Sequence, residues 1–193
     1  MNYNFNIAAI NQCTESEGPF KRLAIWFQGC NIQCKECCNP ELFIFKKANF
    51  VSLEELIEIV IEAKRKYKIE GVTYLGGEPT LQIGLSELSK RLKKLDIGIL
   101  LFTGNLYEDL PNELIDNVDL VVDGKFKKDN LDNKRNLIGS KNQRLICVSE
   151  RYKNDIGWFY LPRVKNGEIN LSNDLIITGD VILNNLPTLQ AHC

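Results

Sequence analysis

Four of the seven cysteines in this 193-residue chain lie within nine residues, in the stretch GCNIQCKECCNP from Gly29 to Pro40. Cys30, Cys34 and Cys37 are separated by three and then by two residues, and Cys38 follows directly. Thiolates are good ligands for zinc and for iron–sulfur clusters, and a loop this short can present three of them to one small cluster. The spacing therefore indicates a metal centre.

The remaining cysteines bear on which metal centre this is. Structural zinc takes four ligands and often two CxxC pairs. No second pair is present, because Cys13, Cys147 and Cys193 stand singly and the sole histidine is His192. Three cysteines suit a [4Fe–4S] cluster whose fourth iron is open to a small ligand. Zinc and purely structural thiols are the alternatives.

Composition is that of an ordinary globular protein, with 44% hydrophobic and 25% charged residues. The net charge of -1 gives no argument for nucleic acid or for an anionic membrane. The first residues, MNYNFNIAAI, lack the features of a signal peptide, and the run IGILLF is too short to span a bilayer. We expect a cytoplasmic protein, in which reduced thiols bind metal rather than pair as disulfides.

Predicted strands and helices alternate along the chain. LAIWF, GVTYL, IGILLF, DLVVD and RLICV are typical of strands. The run SLEELIEIVIEAKRKYK predicts a helix that starts at a capping box of Ser52 and Glu55. Further helices are predicted over Leu85–Lys94 and, more weakly, near Glu113–Asn117. This alternation predicts a parallel α/β sheet or barrel.

Chain length limits how far such a barrel can close. A closed eight-stranded barrel needs about 250 residues, so we expect an incomplete β/α barrel with parallel strands. The stretch EINLSNDLIIT, with turn formers at Ser172–Asp174, predicts a β-hairpin in the C-terminal tail. We interpret residues 1–193 as one domain, with a core over about 20–150 and a C-terminal appendage over 151–193.

Four polar loops begin where predicted strands end. The cysteine loop follows LAIWF, GGEP follows GVTYL, TGN follows IGILLF and DGKF follows DLVVD. The carboxyl ends of parallel strands share one edge, which is where α/β folds bind ligands. We therefore expect the four loops to form one site. Alone, GGEP or TGN would be an ordinary turn.

The cysteine spacing after a first strand, with GGEP after the second, resembles the radical S-adenosylmethionine (SAM) enzymes. The chain is further similar to the single-cluster enzymes that activate glycyl-radical enzymes, especially anaerobic ribonucleoside-triphosphate reductase. The likeness runs from about residue 11 to residue 148. It is carried by GPFKRLAIWFQGCNIQCKECCNPELF, VTYLGGEP, LLFTGN, VDLVVDGKF and LIGSKNQRL.

The resemblance implies the cofactors and their ligands. Cys30, Cys34 and Cys37 would hold a [4Fe–4S] cluster, and its open iron would take the amino and carboxylate groups of SAM. Gly76 and Gly77 would admit the methionine moiety because neither has a Cβ, so Gly77→Val is expected to weaken SAM binding without loss of iron. The other matching positions are Glu78 and Pro79 at that turn, Thr103 and Gly104 on the ribose side, and Asp123 and Lys125 near the sulfonium.

The resemblance also implies the activity. One electron from the reduced cluster would cleave SAM to methionine and a 5′-deoxyadenosyl radical, which would install a glycyl radical on a partner anaerobic ribonucleotide reductase. The alternative is a radical SAM enzyme that modifies a peptide or a small metabolite. A non-catalytic metal-binding or electron-transfer protein is a third hypothesis, but it leaves GGEP and the other strand-end loops unexplained.

Two positions depart from the pattern, and one basic segment is left over. Glu36 stands where the subgroup often has glycine, and Cys38 stands where an aromatic residue is common.

The segment Gly124–Arg144 carries seven basic residues against two acidic ones. Such a segment is either a solvated face or a docking surface for an acidic electron donor such as a flavodoxin, or for the partner enzyme.

Overall fold

The computed structural model describes residues 2–161, 167–171 and 175–179, so His192 and Cys193 lie outside the described residues. The described chain forms nine strands and three α-helices. The strands are β1 (Asn4–Thr14), β2 (Arg22–Phe27), β3 (Asn49–Ser52), β4 (Gly71–Gly76), β5 (Gly98–Phe102), β6 (Leu120–Asp123), β7 (Arg144–Cys147), β8 (Gly167–Leu171) and β9 (Leu175–Gly179). The helices are α1 (Leu53–Tyr67), α2 (Leu85–Lys94) and α3 (Asn112–Ile115).

Seven of these strands form one sheet in the order β3-β1-β2-β4-β5-β6-β7. Strands β2, β4, β5 and β6 run parallel, and antiparallel strands flank them on both sides. The order ends at β3 and β7 without closing, which confirms the predicted incomplete barrel. Strands β8 and β9 pair antiparallel, as the predicted tail hairpin requires, while its turn at residues 172–174 lies outside the described residues.

The sequence interpretation was wrong on the direction of the fifth predicted strand. β7 pairs antiparallel with β6, from Leu120 opposite Cys147 to Asp123 opposite Arg144. Parallel neighbours need a crossover that is usually an α-helix. The connection over residues 124–143 contains only one short 3-10 turn, so the chain returns beside β6 in the opposite direction.

The helices cover the outer face of the sheet. Helix α1 begins at the predicted capping box, in which the Ser52 N–H donates to Glu55 Oε2 over 2.9 Å and the Glu55 N–H donates to the Ser52 hydroxyl. Leu56 and Val60 of α1 are fully buried in one cluster with Leu88 of α2. That apolar face anchors the outer side of the parallel strands. No helix in the described part of the chain is long and apolar enough to cross a bilayer.

The inner face is filled partly by residues that follow β7. Tyr152 and Phe159 are buried against Leu100, Leu120 and Val122. A fully buried Arg22 at the start of β2 ties this segment down, since it donates to the Tyr152 hydroxyl over 2.9 Å and pairs with Glu70. Packing on the inner face thus continues past residue 150, and the Arg22–Tyr152 contact lies at the amino ends of the parallel strands.

Candidate functional site

The four strand-end loops meet at the carboxyl edge of β2, β4, β5 and β6. They enclose a cavity of about 640 Å³. Its lining includes residues from all four loops, among them Cys30, Cys34, Cys37, Gly76, Gly77, Glu78, Thr103, Gly104 and Gly124. Eight of the eleven candidate ligand and cofactor residues, all except Pro79, Asp123 and Lys125, are therefore brought together around one space.

The cysteine loop owes its shape to three residues with positive φ. Gly29 has a φ of +97°, and Gln33 and Glu36 have φ values of 48° and 57°. Each of the latter two directly precedes a cysteine, so the backbone turns sharply before Cys34 and before Cys37. The Cys37 N–H donates to the Cys34 carbonyl over 3.2 Å and closes the second turn. This repeated turn folds the loop so that all three thiols line the same cavity.

The thiols differ in how readily they lose a proton. Burial raises the pKa values of the Cys30 and Cys34 thiols. A hydrogen bond from the Cys38 side chain lowers the pKa of Cys37 to about 6. A metal must displace the remaining protons, so we expect iron binding to release protons and to weaken as the pH falls. Cys38 itself is exposed.

These residues fit a [4Fe–4S] cluster better than a single metal ion. Within the described residues, no three His, Cys, Asp or Glu side chains group closely enough to hold one ion. A cubane takes each thiolate at a different corner, so its ligands need not converge on one point. Three thiols at the wall of a cavity of about 640 Å³ leave room beside a cluster for a second, small cofactor.

The turn after β4 lies directly against the cysteine loop. The Gly77 N–H donates to the Phe27 carbonyl over 2.8 Å, and the Glu78 N–H donates to the Gly29 carbonyl over 2.9 Å. A Cβ on Gly77 would stand 2.1 Å from the Gly29 oxygen, and one on Gly76 would stand 2.4 Å from the Phe27 nitrogen. The structure therefore gives the two glycines a packing role within the chain, because they allow this turn to lie against the end of β2 and the start of the cysteine loop.

Glu78 joins the second loop to the third. Its carboxylate is 1% exposed, and Oε1 accepts from the Thr103 hydroxyl while Oε2 accepts from the Gly104 N–H, both over 2.8 Å. The Thr80 N–H and hydroxyl also donate to Oε1. Glu78 thus positions the TGN loop as well as its own turn, a cross-link that sequence reasoning missed.

The structure does not bring Asp123 and Lys125 to the cavity wall. Asp123 is fully buried and accepts from the Tyr107 N–H over 2.8 Å and from the Arg144 guanidinium. Arg144 also pairs with Glu108 over 2.7 Å. Asp123 therefore braces β6 against β7. Lys125 is exposed, and its charge acts to lower the pKa of the nearby Cys34 thiol.

Sequence reasoning also missed much of the far wall of the cavity. Residues 15–17, between β1 and β2, line one part of it. Phe126, Leu131, Leu137, Trp158 and Leu161 line another. The sequence around these residues has no clear period that would place them at a cavity. Trp158 is also a packing residue. Its ring does pack edge-to-face against Phe159, with centroids 5.1 Å apart.

The conformation of Glu36 leads to a prediction. A residue other than glycine in the left-handed conformation of Glu36 destabilises the fold by roughly 1–2 kcal/mol. The half-exposed ion pair of Glu36 with Lys128 stabilises it by at most about 1 kcal/mol. We expect Glu36→Gly to keep its iron and to change the free energy of unfolding by less than about 1 kcal/mol. Glu36→Val, which is β-branched, should destabilise the loop and bind less iron. Thermal unfolding and iron analysis of the two variants would check this, and equal behaviour would contradict it.

Comparison with known proteins identifies the family. Residues 16–146 match the 4Fe-4S single cluster domain. The anaerobic ribonucleoside-triphosphate reductase-activating protein of Enterobacteria phage T4 is 31% identical over 153 residues, which cover 75% of this chain and 93% of that protein. The pyruvate formate-lyase 1-activating enzyme of Escherichia coli K12 is 29% identical over 147 residues, 72% of this chain and 59% of that enzyme.

Among solved structures, the crystal structure of QueE from Escherichia coli matches at a TM-score of 0.42 and 15% identity, over 64% of this chain and 71% of that chain.

The family match extends from the connection before β2 into β7 and includes every strand-end loop of the cavity. The phage relative is matched over nearly its whole length. The chain therefore belongs to the 4Fe-4S single cluster domain family and is a radical SAM activating enzyme, with a [4Fe–4S] cluster and S-adenosylmethionine as its cofactors.

Proposed function

We propose that this enzyme cleaves SAM reductively and installs a glycyl radical on a partner anaerobic ribonucleotide reductase. The observation that carries the proposal is the cavity, which has three thiols on one wall and a glycine turn braced by a buried carboxylate beside them. The similarity to the phage T4 activating protein supports this choice of partner. When bound, the cluster would supply one electron and SAM would supply the 5′-deoxyadenosyl radical that abstracts hydrogen.

Each element of the chain has a defined part in this proposal. Cys30, Cys34 and Cys37 hold the cluster. Gly76 and Gly77, with Glu78 and Pro79, shape the turn that receives the methionine moiety, and Thr103 and Gly104 form the ribose side. The geometry supports a structural role for Asp123, holding β6 against β7, rather than contact with SAM, because its carboxylate is paired with Arg144. The apolar far wall excludes water from the radical.

The partner's glycine would enter the cavity as part of an extended backbone. Glycine suits this step because its backbone can approach closely and its radical is stabilised by the neighbouring amides. The sheet is open at its edges, so a protein loop can complete the enclosure that the incomplete barrel leaves. An acidic one-electron donor such as a flavodoxin would reduce the cluster in the cytoplasm.

The test is glycyl radical formation. Reduced enzyme, SAM and the anaerobic ribonucleotide reductase from the same genome should give a glycyl radical signal in electron paramagnetic resonance. Deuterium placed on that glycine should appear in 5′-deoxyadenosine. Cys34→Ala serves as the control without a complete cluster. If a small metabolite or an unrelated short peptide transfers the label and the reductase does not, the alternative substrate class replaces this one.

A further inference from the structure

The loop DGKF (residues 123–126), which follows β6, contacts the cysteine loop. The Phe126 N–H donates a hydrogen bond to the Cys34 thiol. Two residues further on, the Lys128 ammonium pairs with the Glu36 carboxylate of the cysteine loop. Cys34, Glu36 and Phe126 all line the cavity. The connection between β6 and β7 is therefore in direct contact with one wall of the proposed cluster site.

Side chains from the end of the same connection hold the backbone around Phe126. The Asn142 side-chain Nδ2 donates to the Lys125 carbonyl over 2.8 Å. The Lys127 N–H donates to the Ser140 hydroxyl over 3.1 Å. These hydrogen bonds lie on both sides of Phe126, so they fix the direction of its peptide N–H toward the cysteine loop.

Lys125 places a positive charge near the same thiol. Its side chain is exposed, and its charge acts on Cys34. Cys30, by contrast, lies near the negative charge of Glu78. Cys34 therefore has a hydrogen-bond donor and a positive charge beside it, and the DGKF loop supplies both.

Both groups favour the reduced state of an iron–sulfur cluster. An added electron increases the negative charge that the cluster and its thiolates carry. A hydrogen bond to a ligand sulfur and a nearby cation stabilise this extra charge, so each raises the reduction potential. Solvent and salt screen the exposed Lys125 ammonium, whereas they have little effect on a hydrogen bond made at contact distance.

We propose that the DGKF loop sets the reduction potential of the cluster, with Phe126 and Lys125 as positioning residues that act through Cys34 and make the cluster easier to reduce. This inference rests on the proposed role of Cys34 as a ligand. It goes beyond the proposed reaction, because it concerns the electron that enters the cluster before SAM is cleaved. It also gives Lys125 a role that requires no contact with SAM.

The first experiment measures the midpoint potential of the reconstituted enzyme without SAM and without a reductase. The cluster is titrated with dithionite and mediators, and its reduced form is followed by electron paramagnetic resonance. Lys125→Gln should shift the midpoint to a more negative potential, equivalent to an equilibrium constant for reduction that is about two- to fivefold smaller. The shift should shrink in about 1 M salt, where the Debye length falls to about 3 Å.

Two variants are matched to Lys125→Gln. Lys125→Arg keeps the positive charge and should keep the parental midpoint. Lys141→Gln removes another exposed lysine from the same connection and should also keep the parental midpoint. Iron content is measured for all three variants and should equal that of the parent, because none of them removes a thiol.

The second experiment detects the hydrogen bond itself. In protein labelled with 15N-phenylalanine, pulsed electron paramagnetic resonance of the reduced cluster should show a weak 15N coupling, transmitted from the Phe126 amide through Cys34. Phe126→Leu keeps the N–H but carries no label at that position, so its labelled protein should lack this coupling. Phe50→Leu, on the exposed edge strand β3, is the control and should retain it.

Four results would overturn this proposal. The first is an equal shift of the midpoint in Lys125→Gln and Lys141→Gln. The second is an unchanged midpoint in Lys125→Gln with weaker SAM binding, which would return Lys125 to the sulfonium contact that the resemblance implies. The third is loss of iron in Lys125→Gln but not in Lys125→Arg, which would assign the lysine to cluster assembly. The fourth is an undiminished 15N coupling in Phe126→Leu. Radical formation on the reductase is measured separately, so these results leave the proposed function standing.

Discussion

Alanine at Cys30, Cys34 or Cys37 is expected to abolish the cluster, whereas Cys38→Ala should retain it. The parent chain should bind about four irons after anaerobic reconstitution, as a cubane requires. Each of the three proposed ligand positions lines the cavity behind a backbone turn, so a neighbouring group could replace a missing thiol only if that turn moved. Iron analysis, the visible absorption of the cluster and 5′-deoxyadenosine formation measure the effect.

Cys38→Ala is the matched control, because it removes a thiol from the same loop. Cys38 is exposed and its side chain donates a hydrogen bond to Cys37. Its loss should raise the pKa of Cys37 from about 6 toward the ordinary thiol value, so reconstitution at low pH should become less efficient. Loss of iron in Cys38→Ala with retention in Cys37→Ala would reverse the ligand assignment.

The convergence of the four loops could be predicted because it depends on strand direction alone. Buried strands such as β2 and β4 are continuous apolar runs, and the polar loops that follow them must share an edge. Strands β1 and β3 escaped prediction. Asparagine is disfavoured in strands, yet β1 begins NFNI, and pairing with β2 and β3 overrides that local preference. The alternation that buries Phe5 and Ile7 was the available signal.

Side-chain partners that are distant in sequence could not be predicted from motifs. Asp123 occupies a position that the resemblance assigns to the cofactor, but Arg144 lies 21 residues later and takes its carboxylate. Glu78 likewise finds Thr103 and Gly104, 25 and 26 residues away. Motifs identify which loops form the site, whereas the hydrogen bonds among the loops decide which side chains remain available for a ligand.

Substitution of Gly77 is the second change for which we expect a large effect. The sequence alone predicts weaker SAM binding with the iron retained, whereas the structure predicts loss of both. Gly77→Ala, and more severely Gly77→Val, should lose iron as well as SAM binding. The new Cβ would stand 2.1 Å from the Gly29 oxygen, and that contact is with backbone, which cannot rotate away. Relief of this contact requires a shift of Gly29 and, with it, of the adjacent Cys30, a proposed ligand of the cluster. Overpacking of this kind costs roughly 1–3 kcal/mol or more of folding free energy.

Gly157→Ala is the matched control, since a Cβ there meets no atom within 4 Å. Iron content, SAM affinity and thermal unfolding should be close to parental in Gly157→Ala and all three should fall in Gly77→Ala. A Gly77→Val protein with full iron content and reduced SAM affinity would instead mean that the glycine is needed for SAM alone and that the cysteine loop moves aside at little cost. Iron content and SAM affinity therefore separate the two reasons for a glycine at this position, which are packing within the chain and access for SAM. If iron content falls together with SAM affinity, the packing of GGEP against the cysteine loop is what assembles the cluster site.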